Sequence, residues 1–149
     1  MLKKLAKYLR ALGYDTLFSE KLSDQDLMER SINENRVLLT RDKALCRETP
    51  ELYSFYMKPQ HPESQLGLLC KYYPIRFEES EFMTRCLECN TSLTEVEKSE
   101  VKDRVPPRVY ERQNVFKYCG FCNQIFWNGD HVTRLRTKLT RIIEKNSPI

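Results

Sequence analysis

Leu2, Leu5, Ala6, Leu9 and Leu12 recur at intervals of three and four, with Lys3, Lys4, Lys7 and Arg10 on the other side, until Gly13 interrupts the run. That spacing predicts an amphipathic helix stopped at Gly13. Tyr14 to Phe18 has the composition of a short strand. Ser23 followed by Asp26 has the spacing of a capping box, which predicts a second helix from Asp24 to about Asn33. Arg36-Val-Leu-Leu-Thr40 is a compact apolar run of buried-strand type, cut off by Arg41-Asp42, and Leu52 to Met57 is a further strand. Leu66, Leu69, Cys70 and Tyr73 mark a helix closed by Pro74. Helices alternating with short buried strands imply an α/β fold, a parallel sheet with flanking helices.

From Pro74 to Thr84 the chain becomes a charged connector, and the pattern then changes. Short strand-like runs at Ser92 to Val96, Asn114 to Tyr118 and Gln124 to Trp127 surround two Cys-x-x-Cys pairs. A last helix follows, with Asp130 as its expected cap and Val132, Leu135, Leu139 and Ile142 on its buried stripe. The pairs are Cys86-Leu-Glu-Cys89 and Cys119-Gly-Phe-Cys122, with 29 residues between them. Two such pairs can present four thiolates to one tetrahedral Zn2+, and closing the loop on metal lets a small segment fold with little core. The competing readings are two disulfides, or cysteines that fill a core. Cys46 and Cys70 stand alone and read as small buried hydrophobes. The division expected is an α/β domain over residues 1–80 and a zinc ribbon with a basic terminal helix over 81–149.

Composition narrows the class. The 149 residues hold no apolar run near the twenty or so of a membrane span, and the start has no uninterrupted apolar stretch of a secretory signal. Six cysteines without such a signal point to the reducing cytoplasm and to thiolates held by metal. Net charge is +4 but uneven: residues 1–80 carry 13 basic and 12 acidic side chains, against 12 and 9 in 81–149. The excess gathers after His131, where Arg134, Arg136, Lys138, Arg141 and Lys145 face Glu144. Such a helix is either a solvated face or a phosphate-contacting one.

Ligands of open parallel sheets sit beyond the carboxyl ends of the strands. Asp42 follows the strand ending at Thr40, and Asp24 begins the preceding helix, so both can reach one rim. Two carboxylates there make part of a Mg2+ or Mn2+ site, with Thr40 and Arg41 adding a hydroxyl and a phosphate-binding guanidinium. The plainer reading is a helix cap and a turn residue.

The motifs Met1-Leu-Lys-Lys-Leu-Ala-Lys-Tyr-Leu-Arg-Ala-Leu-Gly-Tyr-Asp15-Thr, Ser23-Asp-Gln-Asp-Leu and Leu38-Leu-Thr-Arg-Asp42 resemble the Mut-seven C-terminal RNase domain family. So do Arg85 to Asn90, Val105-Pro-Pro107, and Cys119-Gly-Phe-Cys122 followed by Phe126-Trp-Asn-Gly-Asp-His131. The likeness runs to about Arg136 with the motifs in order. It implies a PIN-like domain fused to a zinc ribbon, and a metal-dependent endoribonuclease. By family pattern Asp24 and Asp42 are metal-binding acids, while Cys86, Cys89, Cys119 and Cys122 hold zinc. Family members usually begin with a strand ending in Asp just before the first helix, and this sequence starts at the helix itself, with Lys3 in place of the usual Gly. On that pattern the site lacks one acid and the sheet has an edge or slot where a partner protein's strand can pair. Asp130 likewise stands where Ser is usual before His131, a residue expected to pack on Trp127 or to meet a base or phosphate.

Two readings follow. In the first, a ribonuclease acts on structured or ribosome-associated RNA, with Asp24 and Asp42 binding the ion and Lys4, Lys7, Arg41 and Lys43 receiving phosphates. In the second, a non-catalytic RNA- or ribosome-binding protein relies on the ribbon and on Arg134, Arg136 and Lys138 of the basic helix.

Overall fold

The computed structural model describes residues 2–148; Met1, which opens the first motif, and Ile149 lie outside them. The first helix, α1 (Lys3–Ala11), buries Leu5, Ala6, Tyr8 and Leu9, as its periodicity predicts. It ends where Gly13 takes φ +98°, a left-handed conformation that glycine enters without a Cβ clash. A Cβ there would sit 2.8 Å from the Glu81 carbonyl oxygen. Gly13→Ala is therefore expected to cost about 1–3 kcal/mol from the backbone alone, read as a lowered urea midpoint; an unchanged midpoint would contradict the close approach of the two segments.

Helix α2 (Asp24–Asn33) begins with both halves of the Ser23/Asp26 capping box in place. Strands β1 (Leu38–Thr40) and β2 (Ser54–Tyr56) pair in parallel, Leu38 opposite Ser54 and Thr40 opposite Tyr56. The connection between them holds α3 (Lys43–Glu48) and a 3-10 turn at Glu51–Tyr53. Helix α4 (Pro62–Tyr72) starts a turn earlier than its apolar residues imply, because Pro62 occupies the first helical position, where a missing N–H costs nothing. Leu5, Leu9, Leu12, Leu66, Leu69 and Met57 form the main core.

The ribbon contains β3 (Thr94–Val96), β4 (Phe116–Cys119) and β5 (Gln124–Phe126), antiparallel in the order β3-β4-β5, with the short helix α5 (Pro107–Arg112) between β3 and β4. Its own core is small: Val101, Val105 and Phe116, flanked by partly buried Val96, Ile125 and Trp127. The last helix, α6 (Asp130–Asn146), does not stay with the ribbon. It returns to pack on α4 and places Leu139 and Ile143 in the main core.

Three expectations are corrected. Tyr14–Phe18 has no regular structure and is not a strand. Thr16 N–H donates to Asn90 Oδ1 (2.9 Å), and the Thr16 carbonyl accepts from Arg10 Nε (2.8 Å), so side chains take the bonds a ladder would supply. Asp130 is the first helical residue of α6, and Gly129 is its N-cap. Arg10 is not on a solvated face but only 6% exposed. Trp127 packs on Phe116, and His131 is exposed.

Candidate metal centre and sheet rim

Each Cys-x-x-Cys pair sits in a tight turn. Asn90 N–H donates to the Cys86 carbonyl and Asn123 N–H to the Cys119 carbonyl, at 2.9 and 2.8 Å, with both asparagines at positive φ. Asn tolerates that conformation better than other residues bearing a Cβ. The turns bring Cys86, Cys89, Cys119 and Cys122 together with all four sulfurs within 4.8 Å of one another. Cys86 Sγ lies 3.9 Å from Cys122 Sγ and Cys89 Sγ 3.4 Å from Cys119 Sγ. A tetrahedron with Zn–S near 2.3 Å has sulfur–sulfur edges of about 3.8 Å. The donor set therefore fits zinc, and all six cysteines are free of disulfides.

Protonation of the thiols follows from this crowding. Burial pushes Cys89 up, but hydrogen bonds from the Thr91 hydroxyl and backbone and from the Cys122 and Cys119 thiols bring it down to about 6. Cys122, which hydrogen-bonds that sulfur, is pushed up to about 12. Without a cation the crowding thus pushes Cys89 and Cys122 in opposite directions. A divalent ion lets all four deprotonate.

The first turn is docked onto α1. Arg10 donates to the Leu87 carbonyl (2.8 Å) as well as to Thr16, and Lys7 pairs with Glu88 (2.9 Å). Asn90 Nδ2 donates to Asp15 Oδ1 (2.6 Å), and Asp15 in turn pairs with Arg36 (2.9 Å), two residues before β1. Hydrogen bonds from Arg36 and Asn90 hold the Asp15 carboxyl below its usual range. Nothing local in the sequence marks Arg10, Asp15 or Asn90 for these roles, since Leu87, Arg36 and Asp15, their respective partners, lie 77, 21 and 75 residues away.

The second place of interest is the carboxyl end of the parallel pair. Asp42 follows β1 and caps α3, its Oδ1 accepting from the N–H groups of Ala44 (2.8 Å) and Leu45 (3.2 Å). Helix α2 packs on β1 and joins it through residues 34–37, and Asp24 is exposed in its first turn. Among the described residues, three or more potential ligands converge closely enough to hold an ion only at the cysteines.

The basic residues divide. Lys4 is exposed, and Lys43 lies over the Tyr56 ring at 5.7 Å. Arg41 Nη1 donates to the Lys58 (3.0 Å) and Pro59 carbonyls, bracing the loop after β2. Buried Gln65 braces the same loop through Pro59 (3.1 Å). On α6, Arg134 is exposed, but Arg136 pairs with Glu79 and stacks over Phe82 at 4.8 Å. Lys138 reaches Glu63 (3.5 Å) and lies over the Tyr8 ring at 5.9 Å.

An α/β unit with a parallel strand pair, joined to a four-cysteine ribbon, is the class this architecture defines. The chain belongs to the Mut7-C RNAse domain family, matching it over residues 1–139. Comparison with curated proteins and with solved structures gives no match. No helix among the described residues is long and apolar enough to cross a membrane.

Proposed function

We propose that this protein is a cytoplasmic, metal-dependent endoribonuclease acting on structured or ribosome-associated RNA, with a structural zinc in its four-cysteine centre. The observation that carries the reading is Asp42 with Thr40 and Arg41 at the carboxyl end of β1, where open sheets bind ligands, in a chain of an RNase family. Asp42 and Asp24 offer carboxylate oxygens, the donor type that Mg2+ or Mn2+ takes. Such an ion, when bound, supplies a water acidic enough to attack a phosphodiester. The two backbone N–H groups on Oδ1 fix the Asp42 carboxyl and leave Oδ2 as its ligand atom. Lys4 and Lys43 are the cations best placed to receive phosphates, since Lys7 is engaged by Glu88 and Arg41 braces a loop.

One observation favours the second reading, a non-catalytic RNA- or ribosome-binding protein. Asp42 is fully accounted for as a helix cap, and among the described residues no third acid converges with it. On that reading the edge of β1 away from β2 is where a partner protein's strand adds.

Asp42→Asn separates the two. Asparagine caps helices as well as aspartate does, so α3 is kept while a charged ligand is lost. Weak cleavage of a structured RNA in magnesium, stronger in manganese, is expected to be abolished in the variant. Cleavage that survives the substitution marks a contaminating nuclease, whereas RNA binding with no cleavage by either protein selects the second reading.

A further inference from the structure

We propose that the groove between α6 and the first turn of α4 is a seat for the sugar-phosphate backbone of a single RNA strand, and that it delivers the strand to the rim at Asp42. The inference rests on the RNA reading above and assigns to it a surface that the rim residues do not supply.

The groove encloses about 490 Å3, and Arg134, Lys138 and Arg141 line it. Their spacing of four and three residues puts all three on one face of α6. Seven residues of helix rise about 10 Å, so the three cations stand about 5 Å apart along the face, close enough for one strand to meet all three. Arg136 belongs to a different face. Its guanidinium over Phe77 and Phe82 and its pair with Glu79 anchor α6 to the body and turn the 134/138/141 face outward.

Two threonines in the wall argue for RNA over other polyanions. Thr133 and Thr137 each donate their hydroxyl hydrogen to the carbonyl four residues earlier, Gly129 (3.2 Å) and Thr133 (3.1 Å). Their oxygens are thereby left as acceptors. Phosphates and carboxylates have no hydrogen to offer such an acceptor, whereas the ribose 2′-hydroxyl does.

The one acid in the wall, Glu63, is held by the Tyr8 hydroxyl (3.1 Å) and by Lys138. The Lys138–Glu63 pair is exposed on both sides, 46% and 43%, so a phosphate displaces it at little cost. The route to the rim is short. Residues 57–61 link β2 to α4 and carry Lys58 and His61, and Met57 N–H bonds the Thr40 carbonyl (2.7 Å) two residues before Asp42.

The test follows binding of a short single-stranded RNA to the zinc-loaded full chain across a salt series. Each phosphate contact on a single strand contributes about 0.7 to the slope of log affinity against log salt, so Arg134→Gln with Arg141→Gln should flatten it by about 1.4. Glu63→Gln should tighten binding by freeing Lys138, an effect that misfolding cannot mimic. DNA of the same sequence should bind more weakly than RNA at every salt concentration. Arg112→Gln, on α5, should leave the slope unchanged. An unchanged slope in the double variant, with wild-type RNA binding intact, overturns the groove and leaves the RNA reading standing. Polyglutamate binding more tightly than RNA, and losing affinity in the same variants, would make the groove a site for an acidic protein and overturn the proposal. Failure of the wild-type chain to bind RNA even at low salt removes both the groove and the RNA reading.

Discussion

Cys119→Ser loses the metal and, with it, the fold of the ribbon, while the helices α1, α4 and α6 stay packed. The ribbon buries Val101, Val105 and Phe116 as its own core, and full burial of each contributes about 1.5–3 kcal/mol. That is a small core for the segment between residues 84 and 129, which leans on its metal as small four-ligand domains do. Structural zinc in comparable four-ligand sites contributes about 10–16 kcal/mol, and a serine hydroxyl cannot replace a thiolate in the set. Helix α6 escapes because it packs on α4 and places Leu139 and Ile143 in the main core. The chain's one tryptophan, Trp127, sits against Phe116 in the ribbon core and reports the loss directly. The expected result is one zinc per wild-type chain and none in the variant, with Trp127 emission shifted to that of an exposed indole and helical circular dichroism largely kept. A strong zinc chelator should bring the wild-type protein to the same state. Native Trp127 emission in a metal-free protein would show that the ribbon core stands unaided.

What the sequence disclosed and what it hid divide by the range of the interactions involved. The helix ended by Gly13, the Ser23/Asp26 capping box and the cysteine pairs are written in residues a few positions apart, and all three stand in the structure as the spacings imply. The start of α4 was also local, since Pro62 and Glu63 carry the signature of a first turn, but the apolar spacing alone pointed to Leu66. Tyr14–Phe18 misleads because its composition suits a strand while its backbone partners are Arg10 and Asn90, the latter 74 residues from Thr16. The basic helix misleads for the same reason. Arg134 and Arg136 are indistinguishable by charge, and only the placement of Phe77, Phe82 and Glu79 turns one into an anchor and leaves the other exposed. Asp42 was legible as the residue that follows β1, because the end of that apolar run at Thr40 is written in the sequence itself.

Arg10→Met should cost about 3–6 kcal/mol of stability and weaken zinc binding as well, because one side chain serves both. Its guanidinium donates to the Thr16 and Leu87 carbonyls at 2.8 Å each, and it is 6% exposed. Hydrogen bonds from a charged donor contribute about 1.5–3 kcal/mol apiece, and methionine leaves both carbonyls without a partner. Burial draws the Arg10 pKa below its usual value, while the negative charges of Cys89, Cys86 and Glu88 hold it up. Arginine stays charged under those conditions, so a cation stands next to a centre whose four thiolates outweigh the two charges of zinc. Loss of that cation, and of the bond that positions Leu87 between two ligands, should lower zinc affinity by about 10–100-fold, as loss of outer partners does at other metal sites. Competition with a chelator reads the affinity, and a urea midpoint reads the stability. Arg10→Lys discriminates charge from geometry: it keeps the cation but cannot bridge two carbonyls with a planar fork, so zinc affinity should recover more than stability. Zinc affinity equal to wild type in Arg10→Met would mean that the α1 contact steadies the fold without reaching the metal, and that the tie from Leu87 through α1 carries packing alone.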